Sequence, residues 1–369
     1  MKFFATAAKG TEPALRDELR ELGVPAVRCD RGGVHFAGDW EHAEWACLQS
    51  RVAIRVLVEL GSFEAPTGEA LYEGTRALDW GPFLTPRHTL AVGVACRSSG
   101  LTHTNFIAQK TKDAIVDQLR DRLGTRPDVA RKDPDVLVFV HLVKDQATLY
   151  LDMSGQSLHR RGYRLEAAEA PLKETLAAAA LRLSGWDRLR PLTDPMCGSG
   201  TFPIEAALWA HRIAPGIFRK RFGFERWATH DATAAERMRT LRDRARANIR
   251  PDIPEIVGAD IDASALDIAR ANAARAGVKI AWRVAPIQDL QPTMPPGFII
   301  LNPPYGTRLE VEEMLYQEMA SVLRTMRGHT VVLFAGNRDI ERAMHMKPAR
   351  WNILFNGDIE CRLLVYPIG

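Results

Sequence analysis

From about residue 171 onward, short apolar runs alternate with helical stretches, and the last two runs stand only four residues apart. The runs read LRPLTD, EIVGADI, KIAWRV, FIILN, TVVLFAG, WNILFN and CRLLVY, with helical segments near 202–210, 263–276 and 312–326. Strands joined through helices are crossover-connected, so they lie parallel in a sheet covered on both faces. The closing pair is different. Gly357-Asp358-Ile359-Glu360 is too short for a crossover, which predicts an antiparallel hairpin at the end of an otherwise parallel sheet. Seven strands in this arrangement predict an α/β domain over 171–369 with a Rossmann-like sheet that is not a plain dinucleotide fold.

The front half reads differently. FFATAA is a strand, and a helix runs to about Leu22 with Thr11 as expected N-cap and Pro13 in its first turn. AVRCD and GVHFAG flank the turn signal Arg31-Gly32-Gly33. A helix-then-strand run follows over EHAEWACLQSRVAIRVLVEL, giving a first α+β domain over 1–60. LAVGVAC, a helix over NFIAQKTKDAIVDQLRDRLG, and the strands VLVFVHLV and TLYLDMS form a second over 61–155. Residues 156–170 lack apolar periodicity and carry Arg160, Arg161 and Arg164, so a basic linker that touches phosphate is expected.

With 369 residues, 46% hydrophobic and 25% charged, the chain suits two or three globular domains. No apolar run approaches the ~18 residues of a membrane span, and the N-terminal apolar stretch is short for a signal peptide. A cytoplasmic, monomeric protein is expected. The cysteines Cys29, Cys47, Cys96, Cys197 and Cys361 are scattered without a CxxC pair, which predicts neither disulfides nor a metal site.

After the first strand of the sheet comes Asp194-Pro195-Met196-Cys197-Gly198-Ser199-Gly200-Thr201. Glycines let a backbone approach a ligand closely, and the helix that follows offers free N–H groups. Pro203 fills the third glycine position of a dinucleotide fingerprint, and no Lys-Ser/Thr pair makes a P-loop, so a phosphate cradle is disfavoured. Asp194, Gly198 and Gly200 are therefore candidate cofactor residues, with Asp194 able to meet a cationic amine. A tight strand-to-helix turn is the plainer alternative. Asp260 ends the second strand, where a carboxylate can bind ribose hydroxyls, while Asp262 reads as a helix N-cap. After the third strand Pro286 occupies the position where an acid would meet adenine, and Asp289, three residues on, is the substitute candidate.

The fourth strand runs into Asn302-Pro303-Pro304-Tyr305-Gly306. Two prolines hold the backbone extended, remove two donors and leave carbonyls to accept. A conjugated exocyclic amine has its lone pair tied into a ring. Acceptors at the Asn302 side chain and the Pro303 carbonyl would draw both amino hydrogens and free that lone pair, while Tyr305 stacks on the base. Asn302, Pro303, Pro304 and Tyr305 are the catalytic candidates. Adenine N6, cytosine N4, guanine N2 and a glutamine amide all satisfy this chemistry.

The net charge of +4 makes the molecule no polycation, but basic residues cluster. Between Phe218 and Arg250 ten basic residues face four acidic ones, and Phe218, Phe222, Phe224 and Trp227 are interleaved. Such a mixture suits nucleic-acid backbone and base contact, or else a solvated helix with buried aromatics. Lys110, Lys112, Arg120 and Arg122 on the long front-half helix are expected to meet RNA phosphates.

The segments RGGVHF, KTKDAIVDQLR, LDMSGQSLHRRGYR, PLKETLAAAALRLSGW, LTDPMCGSGTFPIEAA and LNPPYGTRL carry a likeness over nearly the whole chain. It resembles the THUMP-containing guanine-N2 RNA methyltransferases, above all the N-terminal half of the bacterial 23S rRNA members. The resemblance implies a ferredoxin-like part, a THUMP domain that docks folded RNA, and a class I domain using S-adenosyl-L-methionine. It implies that Asp194, Gly198 and Gly200 line the cofactor loop, Asp260 the ribose site, and Asn302 to Tyr305 the base pocket. Pro286 departs from the family's acid. Ribosomal RNA is the expected substrate and tRNA the alternative, with a DNA adenine-N6 activity less favoured. Because the sequence stops after the seventh strand, one activity is expected.

Overall fold

An eight-stranded sheet builds the front half, in the order β2-β3-β1-β4-β8-β7-β5-β6. The computed structural model describes residues 1–130, 132–164, 172–304 and 309–369, the side chains of 309–312 excepted. β1 (Lys2–Thr6), α1 (Glu12–Glu21), β2 (Arg28–Asp30), β3 (Gly33–Ala37), α2 (Trp40–Gln49) and β4 (Arg55–Glu64) form a βαββαβ unit. Gly33 lets β3 lie against β1, since a Cβ there would stand 2.2 Å from the Ala5 carbonyl oxygen. The expected Thr11 cap does not form. Its backbone (φ −100°, ψ 2°) is not extended as side-chain capping needs, and its hydroxyl donates instead to the Ala8 carbonyl at 2.7 Å.

β4 continues through position 60, pairing with β1 on one side and β8 on the other, so the two front modules share one sheet. The second module adds α3 (Gly68–Arg76), β5 (Thr89–Arg97), α4 (Thr104–Leu123), β6 (Asp128–Val129), β7 (Val136–Val143) and β8 (Gln146–Asp152). On α4, Lys112 pairs with Asp113, Arg120 with Asp117 and Arg122 with Asp79, so three of its four named cations meet carboxylates.

α5 (Glu174–Leu183) leads into the second sheet, ordered β11-β10-β9-β12-β13-β15-β14. Its parts are β9 (Leu192–Asp194), α6 (Thr201–Ala210), α7 (Ala232–Ala247), β10 (Ile256–Asp260), α8 (Ala263–Arg275), β11 (Ala281–Val284), β12 (Phe298–Leu301), α9 (Leu309–Arg324), β13 (Thr330–Ala335), α10 (Arg338–Ala343), β14 (Arg350–Asn356) and β15 (Ile359–Pro367). β15 runs antiparallel to both β13 and β14, and the other pairs are parallel. Two apolar cores fill this domain, one built around Phe202, Ile300 and Phe334, the other around Leu301, Leu333 and Tyr366. Among the described residues, no helix is long and apolar enough to cross a membrane, and no group of three metal-ligating side chains forms.

The basic insertion is largely a strap. Phe222, Phe224 and Trp227 are buried in the front-half core together with Met238 and Leu241 of α7. Arg237 clamps the buried Glu44 of α2 through two hydrogen bonds of 2.6 and 2.7 Å, and Arg226 pairs with Asp133 at 2.7 Å. The three rings are therefore closed to nucleobases, because the apolar surface they bury holds the two halves together.

The linker arginines are corrected in the same way. Arg161 is fully buried against Glu205 of α6, and Arg164 bonds the Thr201 hydroxyl and pairs with Glu174. Each serves as an internal tie rather than a phosphate contact. Arg160 stays exposed.

Candidate active site

β9 is the point where the sheet reverses its order, with β10 on one side and β12 on the other. In open α/β sheets ligands bind beyond the carboxyl ends of strands at such a point. Asp194, Asp260 and Asn302 stand at or just beyond the carboxyl ends of these three strands. The chain order that separates them by more than a hundred residues is undone by strand pairing.

The glycine loop is held from several directions. Gly198 N–H donates to Asp260 Oδ2 at 2.8 Å, and Asp262 N–H donates to Asp260 Oδ1 at 3.0 Å. Asp262 caps α8 by accepting from Ser264 N–H at 2.8 Å, as its position suggested. Asp260 therefore keeps both oxygens fixed by backbone donors, with lone pairs left over. Asn272 on α8 donates to the Ser199 carbonyl at 3.3 Å. Gly200 has φ +82°, and a Cβ there would come within 2.8 Å of the Trp282 ring. Gly198 has φ +52°, and a Cβ would meet no atom within 4 Å. One glycine serves packing and the other faces open space.

Asp194 is buried, and its Oδ1 accepts from Met196 N–H at 3.1 Å. Burial pushes its carboxyl well above the usual range, the Met196 bond works against this, and the Asp260 charge adds to it. No cation pairs with it among the described residues. A ligand ammonium here would supply the missing partner.

Asn302 follows the end of β12, and its Oδ1 is buried without a hydrogen-bond partner among the described residues. Leaving such an acceptor unpaired costs about 1–3 kcal/mol, so a donor arriving there would be favoured. Pro303 is buried and Pro304 exposed. The Pro304 carbonyl is not free, because the buried Tyr316 hydroxyl of α9 donates to it at 2.7 Å. Asn337 donates in turn to the Tyr316 oxygen at 3.3 Å while capping α10 through its own Oδ1. Tyr316, Asn337 and Trp282 escaped the sequence reading, since nothing local marks a residue that supports a loop from another element. Tyr305 lies outside the described residues.

Asp289 ends a short 3-10 turn, Ile287–Asp289, and is exposed. With Pro286, Pro195 and Ala259 it borders a cavity of about 50 Å³. That is far below the roughly 300 Å³ of ordinary ligand sites.

Consecutive parts of the chain match an RlmL ferredoxin-like domain (residues 2–57), a THUMP domain (66–152) and an RMKL-like methyltransferase domain (161–364). The ribosomal RNA large subunit methyltransferase K/L of Methylococcus capsulatus is 45% identical over 100% of this chain, which covers 51% of that protein. The chain thus spans about half the length of the first curated relatives it matches. Synechocystis slr0064, provisionally named an RNA methyltransferase, is 37% identical over 99% of this chain and 96% of its own length. The crystal structure of SMU.472 complexed with SAH superposes with a TM-score of 0.90 at 32% identity, covering 100% of this chain and 98% of the other. The chain belongs to the RMKL-like methyltransferase family, with THUMP and ferredoxin-like domains in front of its methyltransferase domain.

Proposed function

We propose that the chain methylates the exocyclic N2 of a guanine in RNA, with 23S rRNA the substrate ahead of tRNA and S-adenosylmethionine the methyl donor. The observation that carries this reading is the Asn302 Oδ1 at the carboxyl edge of the sheet, buried and without a hydrogen-bond partner among the described residues. Asp194 would hold the donor's ammonium, Asp260 its ribose hydroxyls, and the open side of Gly198 its approach. When bound, S-adenosylmethionine supplies an electrophilic methyl group.

The protein's own part is to hold the amine. Asn302 Oδ1 accepts one amino hydrogen and the Pro303 carbonyl the other. That draws the nitrogen out of conjugation and turns its lone pair toward the methyl group. Tyr316 fixes the Pro304 carbonyl and with it the course of the loop. No strong base is needed, because the amine becomes acidic as it is alkylated and its proton leaves afterwards. The rRNA preference draws on the names of the K/L relatives, and the RNA preference on the THUMP match.

Methyl transfer to unmodified rRNA and tRNA, followed by mass spectrometry of nucleosides, is the direct test. N2-methylguanosine in rRNA is the expected product. Product in tRNA alone would move the substrate, and N6-methyladenosine or N4-methylcytidine would overturn the base.

A further inference from the structure

The cations of α4 are largely neutralised by its own acidic neighbours, which leaves open where the chain is positive. The answer lies at the junction of three parts: the loop before β7, the connector after β8, and the strap after α6. Two cavities of about 310 and 590 Å³ meet there, with Asp133, Pro134, Gly155, Gln156, Arg160 and Gly223 common to both. Together they reach the size of ordinary ligand sites.

The charges of this cleft are sorted. Its three carboxylates are each engaged by an arginine, Asp152 by Arg55, and Asp133 and Asp135 by Arg226. Arg219 donates to the carbonyls of Ser154, Gln156, Ser157 and Arg160, at 2.6 to 3.3 Å. Backbone oxygens that would repel an anion are thereby covered. Lys132, Arg160, Lys220 and Arg221 remain, all exposed and without an ion pair among the described residues. His159 in the wall is pushed down to about 4 by burial first, then by the nearby cations Lys173 and Arg160.

We infer that this cleft grips a single RNA strand by its phosphates, through Lys132, Arg160, Lys220 and Arg221. The inference rests on the RNA reading above and adds where the strand lies. Unpaired cations beside covered carbonyls suit a phosphate; of the two rings in the wall, Phe222 is buried and Phe218 only half-exposed. A duplex is recognised across grooves over about 16 base pairs, far more than this cleft admits.

The test compares two quadruple variants of the full chain. One carries K132Q, R160Q, K220Q and R221Q; the other carries K110Q, K112Q, R120Q and R122Q on α4. Binding to unmodified 23S rRNA is measured across a salt series, with calorimetric S-adenosylmethionine affinity as the control for folding. The cleft variant is expected to bind RNA about 10–100-fold more weakly at low salt. Its salt slope should flatten by about 3, at roughly 0.7 per phosphate for single strands, with donor affinity unchanged. The α4 variant should lose several-fold less. A cleft variant that binds RNA as tightly as the parent, or an α4 variant that loses as much, overturns the inference while methyl transfer to RNA by the parent keeps the function standing. A parent protein that neither binds nor methylates RNA overturns both.

Discussion

Gly198 N–H and Asp260 Oδ2 are joined by a 2.8 Å hydrogen bond across 62 residues of sequence. Loop and second-strand carboxylate are thus one unit. On the proposed reading, a change at Asp260 is felt twice, as a lost ligand contact and as a loosened loop.

Asp260→Ala is expected to weaken S-adenosylmethionine binding by about 1.5–3 kcal/mol, the range for hydrogen bonds to a charged group. Calorimetry measures it. An unchanged dissociation constant with only a lower melting temperature would leave Asp260 as a brace for the loop.

Asp194 predicts a pH dependence. Its folded-state pKa lies above the unfolded value, so the folded protein holds this proton more tightly. Ionisation of Asp194 therefore destabilises the free protein as pH rises from the ordinary carboxylate range through the raised value. A cationic ligand favours the ionised form, so donor affinity should rise with pH over that window, with proton release on binding. Asp194→Asn should abolish the dependence, weaken binding roughly 10–100-fold, and raise the melting temperature of the free protein. Titrations in buffers of different ionisation enthalpy read the proton count; a pH-independent parent affinity counts against the role.

Asn302→Ala should leave donor affinity unchanged and lower kcat about 10²–10³-fold, as deleting one preorganised polar group does. Parallel loss of donor affinity would reassign Asn302 to the donor site.

How much of this was legible in the sequence follows from how local each signal is. Asp194 to Thr201 and Asn302 to Pro304 stand in short runs whose glycines and prolines state their own backbone geometry. The strand–helix rhythm and the four-residue closing turn carried the second sheet. The strap was ambiguous, since Phe222, Phe224 and Trp227 among arginines read alike for a stacking surface and a buried brace. Their packing beside Met238 and Leu241 in the front-half core decides it, and that is a tertiary fact. The pairing of β4 with both β1 and β8 was hidden for the same reason.

Tyr316→Phe removes only the hydroxyl that holds the Pro304 carbonyl. An orphaned carbonyl and a looser loop should lower kcat about 10-fold, with donor affinity kept. A kcat equal to that of the parent would deny Tyr316 a part in positioning the loop.

The tie between connector and methyltransferase domain gives a stability prediction. Arg161 and Glu205 are both fully buried, with Nε–Oε1 and Nη2–Oε2 at 3.4 Å, and the Tyr163 hydroxyl donates to Glu205 at 3.0 Å. Burial works against the Arg161 charge, and Glu205 more than offsets it, so its pKa stands above the ordinary value. Glu205→Ala leaves a buried guanidinium without its counter-charge, held only by carbonyls, and a phenol without its acceptor. Breaking one side of such a pair costs about 3–5 kcal/mol, or roughly 4–6 °C in melting temperature for a protein of this size. Replacing Arg161 by Met, Tyr163 by Phe and Glu205 by Leu together removes the stranded polar groups. That triple variant should melt several degrees above Glu205→Ala, because two uncompensated groups are worse than none. Scanning calorimetry of the three proteins decides it: a triple variant that melts below the single one would mean that the arginine's bonds to the Leu158 and Arg51 carbonyls, not its pairing with Glu205, hold the connector in place.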